Sequence, residues 1–142
     1  MKRRFLSLLL CLLMVFALPI SSHAITGTSE GIVTYGQSKP SKAWKWSDGA
    51  YQFSGHGNMS DLYSNYYFTG AKKFEITVRN YHSEKLTVKL LKRQTGVDWS
   101  ASTKKIDGGK NMTWSVSVDS SSEYILKFYA PSNFTGSIKK IS

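Results

Sequence analysis

Side chains able to do chemistry are few in this sequence, and they are widely spread. Beyond residue 24 the only histidines are His56 and His82. A Ser-His-Asp set would have to recruit one of them, yet no serine sits in a Gly-x-Ser-x-Gly elbow. Asp61 follows His56 within a Gly/Asn/Ser stretch, a spacing that allows a hydrogen bond or a weak metal contact but reads first as a solvated loop. Asp98, Asp107 and Asp119 stand in turn-like surroundings, where an aspartate bonds its own backbone. Asp107-Gly108-Gly109 lacks the oxygen spacing of a calcium loop. Gly55-His56-Gly57 precedes neither a helix nor a Lys-Ser/Thr pair, so it is no phosphate cradle. No nucleophile with its base, no carboxylate pair and no open metal site is recognisable. The sequence therefore assigns no catalytic residue, no metal and no cofactor, and a small secreted hydrolase is its third reading.

Aromatic side chains offer a more credible chemistry, because flat amphipathic rings engage sugars and lipid interfaces. The stretch Trp44-Lys45-Trp46-Ser47-Asp48-Gly49-Ala50-Tyr51-Gln52-Phe53 centres on Asp-Gly, a preferred two-residue type I′ turn. The register predicts a hairpin pairing Trp46 with Tyr51 and Trp44 with Phe53, with Lys45 and Gln52 on the opposite face. The aromatic face is expected to pack on Phe74, Val88 and Trp114 as core; left open, it makes Trp44 and Trp46 the binding site. Tyr51, Tyr63 and Trp99 complete the candidate ligand-binding set, the last two in loop-like surroundings. Tyr63, Tyr66 and Tyr67 cannot all face one way in an extended segment.

The N-terminus bounds the compartment. Lys2, Arg3 and Arg4 precede an apolar run over 5–18, Pro19 breaks it, and Ser22-His23-Ala24 offers a small-residue cleavage site. This is the pattern of a secretory signal peptide, too short for the roughly 20 residues of a bilayer span. The expected organisation is a cleaved signal over 1–24, a leader with a short strand and loop over 25–42, and a domain over 43–142. Cys11, the only cysteine, leaves with the signal, so the mature chain has no disulfide and no thiolate. A disulfide-free exported domain points to a bacterial source, and about 118 mature residues suit one domain.

The formal charge of +10 loses three units with Lys2, Arg3 and Arg4, leaving a basic domain of +7. Such a domain is drawn to teichoic acids, anionic headgroups and polyanionic capsules. No helix-turn-helix, zinc spacing or RNP-like motif supports nucleic acid.

Apolar residues recur with period 2, so the fold is read as all-β. Residues 31–35 form a first strand and 36–42, with Pro40, a loop. Phe74, Ile76 and Val78 share one face, and Leu86, Val88 and Leu90 repeat the alternation after a turn over 81–85, which reads as a hairpin. Its wet face is expected to gather Arg79, Lys89 and Arg93 as contacts for an anionic partner, with Lys104 and Lys105 beyond. Residues 94–111 read as a long connection with at most one short edge strand over 104–107. Met112, Trp114, Val116 and Val118 alternate next, then Tyr124, Leu126 and Phe128, and a last strand covers 136–141. Residues 60–68 could supply one helical turn. Seven to eight strands without helical crossovers give a single antiparallel β-sandwich, jelly-roll-like, with no stable oligomer expected.

The patterns Tyr66-Tyr67-Phe68, Phe74-Glu75-Ile76-Thr77-Val78, Leu86-Thr87-Val88-Lys89-Leu90, Tyr124-Ile125-Leu126-Lys127-Phe128-Tyr129 and Gly136-Ser137-Ile138 resemble the pre-peptidase C-terminal modules of bacterial secreted hydrolases. The resemblance implies a non-catalytic β-sandwich acting in adhesion or substrate proximity. Asn65 stands near the place of the family's usual Asp, so no Ca²⁺ site is carried over. A shorter stretch, Leu62-Tyr63-Ser64-Asn65-Tyr66-Tyr67 followed by Lys72-Lys73 and Ile76-Thr77-Val78, is similar to lactococcin-type β-sandwich bacteriocins and implies an exported antagonist of cell-wall synthesis. The leading expectation is a secreted binding protein acting on an anionic wall polymer, glycan or lipid surface.

Overall fold

The computed structural model describes residues 33–34 and 36–142; the expected signal peptide and its cleavage site lie outside the described residues. Among the described residues nine strands follow in order: β1 (Val33–Thr34), β2 (Tyr51–Gly57), β3 (Leu62–Tyr63), β4 (Lys73–Asn80), β5 (Leu86–Lys92), β6 (Trp99–Ile106), β7 (Asn111–Ser117), β8 (Tyr124–Phe128) and β9 (Ser132–Lys140). Seven of them have five residues or more. They form two sheets, β1-β2-β9-β4-β7 and β3-β8-β5-β6. From β2 onward, successive strands change sheet at every step except β5 to β6, the alternation of a jelly roll. All pairings are antiparallel except the short β1-β2 contact, which is parallel.

Alternation dictates which faces meet. Phe74, Ile76 and Val78 of β4 face Leu86, Val88 and Leu90 of β5 and Tyr124, Leu126 and Phe128 of β8 across one core, all at most 3% exposed. Aromatic rings from both sheets interlock there: Phe128 stacks on Phe134 at 3.8 Å, and Phe53 meets Phe128 edge-on at 5.5 Å. Such pairs add to burial itself.

The structure corrects several local expectations. β4 and β5 do not pair as a hairpin: the 81–85 connection carries the chain from one sheet to the other, because two strands that each bury one face can meet across the core as well as along an edge. Arg79 and Lys89 consequently point from opposite outer faces and do not gather. β6 runs over eight residues where a loop with one short strand was expected; as an edge strand, largely solvated on both faces, it needs no apolar alternation. β9 starts at Ser132 rather than at 136, and residues 60–68 contain β3 and no helix.

The sheet-to-sheet corner is held by a polar pin. Asn80 is fully buried. Its Nδ2 donates to the carbonyls of Glu84 at 2.7 Å and Ile106 at 3.1 Å, and its Oδ1 accepts from the His82 N–H at 2.9 Å. Removing that amide orphans several buried groups at once, each costing about 1–3 kcal/mol. Asn80→Ala is expected to lower unfolding stability by about 2–4 kcal/mol in a denaturant titration, and Asn80→Asp, which keeps the acceptor but not the donors, should not restore it.

Candidate functional site: the tryptophan–lysine end

The Trp44 to Phe53 stretch is not a hairpin. Trp46–Asp48 form a single 3-10 turn, with the Gly49 N–H donating to the Trp46 carbonyl at 3.2 Å. Gly49 then takes φ 88°, a left-handed conformation that glycine accepts without strain, and aims the chain into β2. Tyr51 therefore pairs with Ile138 and Phe53 with Gly136 in β9, not with the tryptophans. The expected type I′ turn centred on Asp48-Gly49 does not form, since the turn's hydrogen bonds close on Lys45 and Trp46, and β9 is the stronger strand partner because it extends along all of β2.

The four aromatics separate into two depths. Tyr51 and Phe53 are buried to within 1%, so Tyr51 is core and not a ligand contact; burial pushes its hydroxyl up to about 12, with the Asn65 backbone opposing. Trp44 and Trp46 are half-buried at one end of the sandwich. Trp44 packs on Tyr51 at 5.0 Å and Tyr66 at 5.4 Å, and Trp46 on Phe74 at 5.5 Å and Phe68 at 5.8 Å. Both indole N–H groups are fixed by backbone carbonyls, Trp44 donating to Gly49 at 3.0 Å and Trp46 to Thr69 at 2.7 Å. The alternative of core or platform resolves into a continuous stack whose inner rings are core and whose outer rings form the rim.

A groove lies on each side of this tip. The first, of about 560 Å³, is lined by Lys42, Ala43, Trp44, Lys45, Asp48 and Tyr66. The second, of about 430 Å³, is lined by Trp46, Gly49 and Ala50 on one side and by 139–142 on the other. The backbone N–H groups of Lys72 and Lys73 both donate to the Ser142 carbonyl, at 2.6 and 3.1 Å, which ties the 72–73 backbone to the C-terminal segment that lines the second groove.

Six ion pairs occur among the described residues: Lys39–Asp98, Lys85–Asp107, Lys92–Asp119, Arg93–Glu123, Lys127–Asp61 and Lys139–Glu75. They take up most of the acidic groups. Lys42, Lys45, Lys72, Lys73 and Lys140 are left outside any of these pairs, and Asp48 is the acidic residue among them. Lys104, Lys105 and Lys110, on and beside β6, are outside them as well; the tryptophan end is distinguished by having such lysines from three remote segments together with outer indole rings.

The other candidates disperse. Trp99 is 63% exposed, with Val97 beside it at 65%, on the β5-β6 connection and its edge. Arg93 is tied to Glu123 at 2.9 Å and lies over the Tyr67 ring at 5.1 Å. Arg79 lies over Tyr81 at 5.2 Å. Lys104 shares the inward register of Val88 and Lys105 the outward register of Thr87, so the two do not form one patch; an inward charge also blunts a sheet edge.

Tyr63 belongs to a structural cluster. Lys127 lies over the Tyr129 ring at 4.3 Å and the Tyr63 ring at 5.5 Å and pairs with Asp61 at 3.0 Å. Asp61 also accepts the Ala130 N–H at 3.0 Å, so its carboxylate is engaged away from His56. Burial opposes charge on both partners, yet the Ala130 N–H and the pairing outweigh it: Asp61 is held below the usual carboxylate range and Lys127 above the usual ammonium range.

No family model matches the chain, and no curated protein matches it. Among solved structures, it superposes on a point mutant of a family 29 carbohydrate-binding module with a TM-score of 0.39 and 15% identity, covering 77% of this chain and 85% of that one. A second variant of such a module, studied for ligand recognition, gives a TM-score of 0.37 and 16% identity over 77% and 86%. At these values the likeness carries no argument about ligand or site, and the fold assignment rests on the chain's own two sheets.

Two outcomes follow from the geometry. Trp44→Ala should lose packing as well as surface, lowering stability by about half of the roughly 3–5 kcal/mol of a fully buried aromatic, while Trp44→Phe recovers most of it in thermal unfolding. Because Asp61 binds its proton more weakly when folded, its contribution is present above its ordinary value of 3.8 and is lost as pH falls below it. Acid titration of Asp61→Asn should show a shallower fall in stability than the parent below about pH 4.

Proposed function

We propose that the protein is an exported, non-catalytic module that binds an anionic glycan polymer at the bacterial cell surface through the Trp44/Trp46 end. The observation that carries this reading is the first groove, where the Trp44 and Tyr66 rings stand beside Lys42 and Lys45, neither of which is in an ion pair. Rings offer a flat apolar surface to the C–H faces of a sugar, and ammonium groups meet its carboxylate or phosphate. Core contacts hold the rings in place, so little ordering cost falls on binding. Asp48 is the one carboxylate lining that groove, and no histidine lines it; the groove thus offers neither a carboxylate pair nor an imidazole base. Export is supported by the signal-like N-terminus, and surface retention by the mature charge of +7.

The test is retention of the mature domain on immobilised polygalacturonate and on wall teichoic acid, with amylose as the neutral control. Retention on the anionic polymers should be strong at low salt and disappear near 1 M, where screening acts within about 3 Å. Lys42→Ala/Lys45→Ala should weaken it about tenfold, roughly 1.4 kcal/mol, with the melting temperature unchanged. Equal retention on amylose, or none on either anionic polymer, would contradict the reading.

A further inference from the structure

The two grooves beside the tip repeat one chemical pattern. Trp44 stands with Lys42 and Lys45 in the first, and Trp46 with Lys139 and Lys140 in the second. Each lysine pair is offset by one carboxylate: Asp48 lines the first groove, and Glu75 binds Lys139 at 2.7 Å beside the second. Trp44 and Trp46 are two residues apart, so their Cα atoms lie within about 7 Å of each other. Only the single turn 46–49 separates the grooves.

Resting on the reading of the first groove as a glycan site, we infer that the two grooves are successive subsites for one linear polyanion, with the 3-10 turn as the saddle between them. Both indoles are locked by hydrogen bonds to backbone carbonyls, so the spacing between subsites is fixed before the ligand arrives. A short oligomer fills one groove. A longer one reaches the second without a further loss of translational freedom, and its affinity rises by the effective concentration of the tethered part, a gain of about 10²–10⁴ where the geometry permits both contacts. The device selects polymer over fragment.

Calorimetric titration with oligogalacturonides from mono- to octasaccharide tests this on the intact mature domain and on two variants, Lys42→Ala/Lys45→Ala and Lys140→Ala, whose exposed side chains leave folding unaffected. The parent should show a step in affinity of at least about tenfold between short and long oligomers. In either variant the step should vanish while disaccharide affinity falls only about twofold, since one groove remains. A step that survives both variants, or a Lys140→Ala protein identical to the parent at every length, overturns the two-subsite inference and leaves the first groove as a single site. Absence of binding at every length, with polygalacturonate also unbound, overturns the underlying reading as well.

Discussion

Everything in this fold depends on aromatic packing across the two sheets, because the chain's one cysteine allows no internal disulfide. Phe53 from β2 and Phe134 from β9 meet Phe128 from β8, and Phe74 from β4 meets Tyr124 from β8, ring against ring at 3.8–5.9 Å, while Tyr51 joins the column through its neighbour Phe53 at 6.1 Å. This column runs through the sandwich and comes to the surface at one end as Trp44, Trp46 and Tyr66. The end face of the core is therefore the same object as the candidate binding surface. Its rings inherit their rigidity from the interior, and their exposure from the single turn at 46–49 that caps it.

Rigidity and charge come from different places at this end. The indoles cannot turn, because Gly49 and Thr69 carbonyls hold their N–H groups. Lysines can, since each carries its charge on a flexible stem. In the proposed reading, fixed rings would set the orientation of a ligand, and mobile ammonium groups would adapt to where its anionic groups fall. Elsewhere several cations are engaged, though Lys104, Lys105 and Lys110 on and beside β6 are in none of the ion pairs among the described residues: Lys127 is enclosed by Tyr63, Tyr129 and Asp61, and Arg93 is shared between Glu123 and Tyr67. Those contacts tie loops to strands and leave less charge free for a partner.

What the sequence made legible was decided by local alternation. The inward faces of β4, β7 and β8 follow directly from period 2, and the jelly-roll class follows from the absence of helical crossovers. Pairing was less legible. β4 and β5 look like hairpin partners because they are neighbours with matching patterns, but nothing local tells an edge contact from a contact across the core. Asp48-Gly49 reads as a hairpin turn, yet the chain forms a 3-10 turn over Trp46–Asp48 instead, and nothing local shows that β9, some eighty residues away, outcompetes the adjacent tryptophan segment for β2. β6 was hidden because Ser100-Ala101-Ser102-Thr103-Lys104-Lys105 is polar on both faces, as an edge strand permits. At the site, Trp44 and Trp46 could be singled out by type and spacing. Lys42, Lys45, Lys72, Lys73 and Lys140 could not, because only the closed sandwich brings their three segments together and uses up the acids elsewhere.

Chemical-shift mapping tests most directly whether the end of the aromatic core is the binding surface. An isotope-labelled mature domain would be titrated with polygalacturonate oligomers at low salt. The account predicts that the indole N–H signals of Trp44 and Trp46 and the backbone signals of Lys45, Gly49 and Tyr66 shift together with one affinity, while Trp99 and Trp114 stay still. Shifts concentrated on the outer face around Thr77, Arg79 and Thr135, or along β6 at Lys104 and Lys105, with the Trp44 and Trp46 indoles unmoved, would contradict it.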